Sequence, residues 1–140
     1  MDNNFELEYY EEKKHYSMLR NWWIDWKKEP IEAKRLPQYG VLAKRDGIYY
    51  AALFLIRKEN LSCELEYAIS NKDSLRTIDK SEREEIRGLL ASLLMGLAKK
   101  MGFEAIQCNA STRYGNITKF LKKLGFREHK NQITLYSGRL

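Results

Sequence analysis

The sequence predicts an α/β protein with a mixed β-sheet of about six or seven strands and helices on both faces. Three observations predict this class. Two apolar helical stretches, Glu82–Met101 and Tyr114–Leu124, each stop at a Gly-Phe pair and are followed by a strand-like stretch. Before them, three β-rich runs between Gly40 and Ser70 are separated by short turns. A strand and a helix open the chain, so the predicted order is β, α, three strands, then α, β, α, β.

The first half of the chain supplies four predicted strands and one helix. Phe5–Tyr10 alternates weakly, which predicts a strand. In Glu11–Lys28, apolar residues recur at steps of three and four, which predicts a helix that Pro30 ends. Ile31–Tyr39 is predicted to be a loop or a short helix. An Asp-Gly pair tolerates the positive φ of a hairpin turn, and the three strands around it are Gly40–Lys44, Ile48–Ile56 and Leu61–Ser70.

The two late helices carry their own start and stop signals. Ser81 with Glu84 fits a capping box for the first helix, and its leucines follow at helical spacing. Gly102 and Gly125 predict left-handed caps at the ends of the two helices. The first helix would act as a crossover, so the strands before and after it are predicted to be parallel. The strands after the two helices are predicted at Ala105–Cys108 and Ile133–Tyr136.

Length and composition set broad limits. The 140 residues predict a single domain over residues 1–140. The net charge of +6 favours encounters with nucleotides, nucleic acid or acidic proteins without selecting one. Cys63 and Cys108 fall in predicted strands, as is typical of buried free thiols, and no Cys/His spacing suggests a metal site. The start lacks a signal-peptide pattern and no apolar run is long enough to span a bilayer, so we expect a cytoplasmic protein without membrane contact.

Three tryptophans lie close together on the first predicted helix. Trp22, Trp23 and Trp26 could form a wall for a substrate or a patch for a protein partner. The simpler interpretation packs at least two of them on the sheet. Together with the basic residues around Pro30 and Pro37 they could also contact nucleic acid, but a solvated basic face is favoured.

These features, in this order, resemble the GNAT superfamily of acyl-CoA N-acyltransferases. The run from Lys119 to Phe126, KFLKKLGF, is similar to the family's closing phrase LYEKLGF. Arg87–Phe103 resembles the long helix that follows the family's acyl-CoA loop, and Glu64–Ser70 resembles the strand that lines the acyl group. The resemblance covers most of the chain from Gly40 onward, and the first part fits the family's β–α opening. The compact style also resembles short GNAT-like proteins of bacteriophages, some of which are virion components.

The resemblance implies acetyl-CoA as co-substrate and an amine as acceptor. The pyrophosphate would rest on N–H groups at the start of the long helix, where the family has Arg/Gln-x-x-Gly-x-Gly/Ala. This chain has Glu82–Arg87 there, without a glycine, and Gly88 lies one position beyond the pattern. Arg83, Arg87 and Gly88 are therefore the predicted phosphate-binding residues. Acidic residues in a first turn also stabilise a helix, so a structural interpretation stays open beside CoA binding.

The resemblance also implies where the acyl chemistry would occur. A carboxylate that accepts the proton of the amine would serve as general base, and Glu64 and Glu66 share a face of the predicted acyl-lining strand. Leu121 stands where many members carry a Tyr acid, and Tyr114 is the remaining candidate acid. The predicted pantetheine-binding and cleft-bordering residues are Tyr67, Ala68, Ile69, Ser70, Asn109 and Asn116.

Two functions from different classes follow. The first is an acetyl-CoA-dependent N-acetyltransferase acting on an amine. The alternative is a GNAT-fold structural or interaction protein without catalysis, such as a phage virion or regulatory component. The motivation for this alternative is the pair of departures at Glu82–Arg87 and Leu121. An edge strand at Ile133–Tyr136 could support a homodimer.

Overall fold

The computed structural model describes residues 4–59, 61–109, 121–129 and 135–140. Within these residues no helix is long and apolar enough to cross a membrane. A 3₁₀ turn covers Ala33–Arg35. The strands and helices, numbered along the chain, are β1 Glu6–Tyr9, α1 Glu12–Asp25, β2 Tyr39–Arg45, β3 Ile48–Arg57, β4 Ser62–Ser70, α2 Lys72–Leu75, α3 Lys80–Lys100, β5 Ala105–Asn109, β6 Arg127–His129 and β7 Leu135–Arg139.

The strands form one open, mixed, seven-stranded sheet flanked by helices, in the order β1-β2-β3-β4-β5-β7-β6. β4 and β5 are parallel, with Cys63 opposite Ile106 and Leu65 opposite Cys108. β7 runs antiparallel to both β5 and β6. The predicted fold class and the parallel crossover through α3 are therefore confirmed.

The two Gly-Phe pairs end their helices with the same hydrogen-bond pattern. The Phe103 N–H donates to the Ala98 carbonyl and the Phe126 N–H donates to the Leu121 carbonyl, both at 3.1 Å. Gly102 and Gly125 have φ of 90° and 93°, which a residue without Cβ adopts at little cost. Each Phe that follows is buried. This is the Schellman cap, so both predicted stop signals are confirmed.

The chain divides into two compact units that share β3, β4 and α3. The first comprises Met1–Phe54 and Tyr67–Leu94, and the second comprises Leu55–Glu66 and Met95–Leu140. The single domain over residues 1–140 stays a prediction. The core of the first unit packs Trp22 and Trp23 of α1 against strand residues; its buried members are Leu19, Trp22, Trp23, Leu36, Leu42, Ala52, Phe54 and Ile69.

Several sequence-based expectations differ from the structure. The polar composition of Asn71–Lys80 predicts a loop, but this segment contains the short helix α2. The strand expected at Ile133–Tyr136 overlaps β7, and its first two residues lie outside the described part of the chain. Its expected position at an edge is wrong, because β7 lies between β5 and β6. The edge on this side is β6, which the sequence pattern did not resolve, so β7 offers no free edge for a homodimer.

A carboxylate on β1 connects that strand to α1, β2 and β3. Glu8 accepts hydrogen bonds from Lys14 at 2.7 Å, from Lys44 at 3.3 Å and from the Tyr49 hydroxyl. His15 Nε2 lies 2.7 Å from Glu8 Oε2, while Nδ1 accepts the Glu11 N–H at 2.9 Å. An imidazole that accepts at Nδ1 carries its proton at Nε2, so His15 donates to Glu8 as the neutral ring.

The Glu8 contacts predict a dependence of stability on acid. Burial alone would raise the pKa of Glu8, but its hydrogen bonds to Lys14, Tyr49, His15 and Lys44 together lower it well below its usual range. A carboxyl with a lowered folded-state pKa stabilises the fold above its unfolded-state pKa, and this contribution is lost as pH falls below about 5. In urea titrations, Glu8→Gln should be less stable than wild type at pH 7, with the difference shrinking towards pH 3. An unchanged difference would contradict this, and Glu6→Gln on the same strand is the control.

Gly40 should tolerate no side chain. A Cβ there would lie 2.5 Å from the Phe54 ring and 3.0 Å from Tyr10 Cβ. Both neighbours lie in the packed first unit, so we expect Gly40→Ala to lower the free energy of unfolding by about 1–3 kcal/mol. Gly96 lies on α3, and no atom of the described residues lies within 4 Å of a Cβ added there, so Gly96→Ala should instead raise the free energy of unfolding by about 0.5–1 kcal/mol. Urea unfolding of both variants checks the opposite signs.

Candidate functional site

The backbone of β4 has an irregular conformation at Tyr67. Tyr67 has φ of 54°, in the left-handed region that a residue with a side chain rarely adopts inside a strand. The register with β5 covers Ser62–Leu65, and Tyr67 follows two residues later. After Tyr67, Ala68 is exposed and Ile69 is buried. Strained residues of this kind concentrate at functional sites, and no glycine in the sequence signals it.

Two carboxylates of β4 share one cation in the second unit. Glu64 is buried, with 4% of its surface exposed, and its carboxylate lies 3.0 Å from Lys58 Nζ. The Glu66 carboxylate lies 3.8 Å from the same nitrogen and is one-third exposed. Glu64 and Glu66 therefore lie on the same side of β4, as the sequence predicted. Lys58 was missed, because it precedes the turn that leads into β4.

The surroundings raise the pKa values of Glu66 and Cys108. Burial raises the pKa of Glu66, the negative charge of Glu64 raises it further, and Lys58 offsets part of the increase. Burial also raises the pKa of the Cys108 thiol to about 11, and Glu64 and Glu66 contribute to that increase. A carboxylate with a raised pKa is a stronger base than an ordinary Glu, whereas a thiol with a pKa near 11 stays protonated and unreactive at neutral pH.

The end of β4 is held by Trp26, the residue that follows α1 in the first unit. The Trp26 Nε1–H donates to the Ser70 carbonyl at 2.8 Å, and the Lys72 ammonium lies 5.2 Å from the centre of the Trp26 ring. The Asn71 side chain caps α2 and also donates to the Tyr49 carbonyl at 3.1 Å. The sequence did not predict that Trp26 would bind the backbone that was expected to face pantetheine.

The start of α3 is capped by its own acid. The Asp79 carboxylate accepts the Glu82 N–H at 2.8 Å, and the Glu82 carboxylate accepts the Asp79 N–H at 3.4 Å. The capping box predicted at Ser81 and Glu84 is therefore wrong. Both pairs have the same spacing, but α3 begins at Lys80, so Ser81 already lies inside the helix. Arg45 Nη1 lies 2.7 Å from Glu82 Oε2 and fixes that carboxylate at the first turn.

The predicted phosphate-binding residues follow this cap on α3. The Arg83 guanidinium donates to the carbonyls of Leu75 and Ile78, at 3.3 and 3.1 Å. Arg87 is exposed, and Gly88 lies inside the helix rather than in a loop before it. Their role stays a prediction. The turn before them does not fit a pyrophosphate, because one N–H already has a carboxylate partner and a second carboxylate lies beside it.

Other predicted site residues are placed only in part. Tyr114 and Asn116 lie outside the described residues. Asn109 is the last residue of β5, and its backbone pairs with Leu135. Leu121 is buried, with 3% of its surface exposed, so the position where the resemblance expects a Tyr acid holds an apolar side chain.

Comparison with known proteins gives one clear result. No protein-family model and no curated protein matches the sequence. Solved structures do match. An acetyltransferase of the GNAT family from Staphylococcus aureus superposes with a TM-score of 0.74 at 14% identity, over 98% of this chain and 99% of that one. The chain has the GNAT fold.

Two further solved structures agree with this assignment. An acetyltransferase from Streptococcus agalactiae gives a TM-score of 0.70 at 14% identity, with 97% of this chain and 98% of that chain covered. An IAA acetyltransferase from Bacillus cereus gives 0.67 at 14% identity, with 98% and 100% covered. Identities this low establish the GNAT fold and leave activity and substrate to be argued from the residues.

Removing Lys58 should destabilise the protein through the carboxylates it pairs with. Lys58→Met leaves Glu64 and Glu66 without this cation, and we expect a loss of about 2 kcal/mol, below the value for a fully buried pair because Lys58 is half-exposed. Adding Glu64→Gln to Lys58→Met should restore part of the loss. Lys34→Met, which removes a cation from an exposed pair with Glu32, should change stability by no more than about 0.5 kcal/mol. Equal effects of the two Lys substitutions in urea unfolding would contradict this account.

Proposed function

We propose that this GNAT-fold protein is an N-acyltransferase, transferring an acetyl group from a thioester to an amine. The observation that carries the proposal is the carboxylate pair on β4, Glu64 and Glu66, in which burial and mutual repulsion raise the pKa of Glu66. The solved structures of the same fold that are named acetyltransferases support the choice of reaction.

The chemistry needs a base and little else from the protein. An aliphatic amine is protonated at neutral pH and cannot attack until its proton leaves. Glu66, one-third exposed, would accept that proton directly or through a water. The amine nitrogen then forms a bond to the thioester carbon and releases its second proton to water, the carbon–sulfur bond breaks, and the sulfur leaves as a thiolate that takes up a proton from water. A thiolate is stable enough to leave without an acid, which is consistent with the apolar Leu121.

Glu64 and Lys58 would act on the base rather than on the substrate. Glu64 is buried and its charge raises the proton affinity of Glu66. Lys58 lies nearer to Glu64 than to Glu66, at 3.0 against 3.8 Å, so it balances the buried charge and leaves Glu66 the freer of the two carboxylates. We assign Glu66 as the base and Glu64 as a positioning residue.

The non-catalytic alternative has less support. The solved structures of this fold named above are acetyltransferases, and Glu66 offers a partly exposed carboxylate with a raised pKa that a structural role does not require. The cytoplasmic location, the phage origin and the acceptor amine stay predictions.

Replacing Glu66 should slow acyl transfer and change its pH dependence. With the acetyl thioester of N-acetylcysteamine or acetyl-CoA as donor, and a panel of polyamines, aryl amines and lysine peptides as acceptors, thiol release reports turnover. Glu66→Gln should lower kcat/KM by about 10²–10³ and remove the acidic limb of the pH–rate profile.

The control is Glu128→Gln on β6. It removes an ion pair with Lys122 and should leave the rate unchanged. Absence of transfer from every thioester to every amine would refute the proposed function. Full activity of Glu66→Gln would refute only the role of Glu66.

A further inference from the structure

We propose that the acyl donor is a pantetheine thioester without an adenine nucleotide, and that Asp79 is the residue that selects against nucleotide-bearing donors. This inference rests on the proposed acyl transfer and names its donor class. It starts from the disagreement between the turn at α3 and the pyrophosphate that this fold implies.

The N–H groups at the start of α3 are the donors that a phosphate would use. A helix N-terminus attracts phosphate because its first N–H groups have no partner within the helix. Here the Glu82 N–H donates to Asp79 Oδ1 at 2.8 Å, and the Arg83 N–H donates to the Asp79 carbonyl at 3.0 Å. A phosphate oxygen that used the Glu82 N–H would have to displace the Asp79 carboxylate and would then remain beside it, because Asp79 directly precedes the helix.

Charged side chains lie close to the first turn of α3. Glu82 adds a second carboxylate to the same turn and is fixed there by Arg45 at 2.7 Å. The Arg83 guanidinium, which could have met a phosphate, donates to the Leu75 and Ile78 carbonyls. Two acids in one turn repel a pyrophosphate, and the Arg45 and Arg83 guanidinium groups already have partners in the first unit.

The acyl donors that fit this turn are those without phosphate groups near it. Coenzyme A carries its pyrophosphate and its ribose phosphate on the nucleotide side, whereas the reacting thioester and the pantetheine arm are uncharged. A donor that keeps only the arm avoids the acids of this turn. Such a group occurs free or as the prosthetic arm of an acidic carrier protein. The net charge of +6 suits the second source.

The experiment compares donors with one acyl group and one acceptor amine. S-acetyl-pantetheine, the same group on an acidic carrier protein, and acetyl-CoA are each assayed for kcat/KM at fixed ionic strength. We expect acetyl-CoA to be no better than S-acetyl-pantetheine within about threefold, because the nucleotide contributes no net binding. A higher rate with the carrier than with free S-acetyl-pantetheine assigns the arm to a carrier, and the reverse assigns it to a free thioester.

Variants at the cap test the role of Asp79. Asn caps helices as well as Asp does, so Asp79→Asn keeps the helix start and removes the charge. We expect kcat/KM for acetyl-CoA, relative to S-acetyl-pantetheine, to rise about fivefold to tenfold, and CoA to bind correspondingly more tightly in calorimetry. The matched control is Asp73→Asn, which removes an exposed charge from α2 without touching the cap and should leave the ratio unchanged.

The outcomes separate this inference from the proposed function. A wild-type preference for acetyl-CoA of more than about tenfold overturns the inference and leaves acyl transfer standing. An equal change of the ratio in Asp79→Asn and Asp73→Asn overturns the role of the cap. No transfer from any of the three donors overturns the proposed function and, with it, the inference.

Discussion

The parallel pairing of β4 with β5 is the interaction on which the second unit depends. α3 connects the two strands, and the left-handed Gly102 turns the chain out of the helix. Two residues later the Glu104 N–H donates to the Leu61 carbonyl at 2.8 Å, which sets the register at its start. Cys63 and Ile106 meet in that register with no exposed surface. β7 then pairs with β5, and β6 with β7, so the remaining strands are built outward from this contact.

The same strand also carries the proposed chemistry. Its first half pairs with β5 and holds Glu64 and Glu66 near one lysine. A carboxylate beside another carboxylate holds its proton more tightly, and partial burial strengthens the effect. This arrangement needs no cofactor to generate a base. The acidic residues at the start of α3, Asp79 and Glu82, therefore do not remove the proposed base.

The sequence predicted features that depend on local backbone chemistry. Gly102 and Gly125 stop their helices because a positive φ favours glycine, and Asp46-Gly47 turns a hairpin for the same reason. It failed where a turn brings two residues together or where two local signals compete. Lys58 pairs with Glu64 because the chain turns between them. Asp79 and Ser81 each precede a glutamate by three residues, and only the packed structure decides which caps α3. Tyr67 has a positive φ that is typical of glycine, and a tyrosine in the sequence does not predict it.

The short strands at the two ends of the sheet affect how the protein behaves at high concentration. Within the described residues the edges are β1, with four residues, and β6, with three, and each carries charged side chains. An exposed sheet edge is a template for pairing with another chain, and a long apolar edge promotes aggregation. Short, charged edges of this kind disfavour such pairing. The apolar strands β3 and β4 each have a hydrogen-bonded strand on both sides, so their backbone groups are already paired within the sheet.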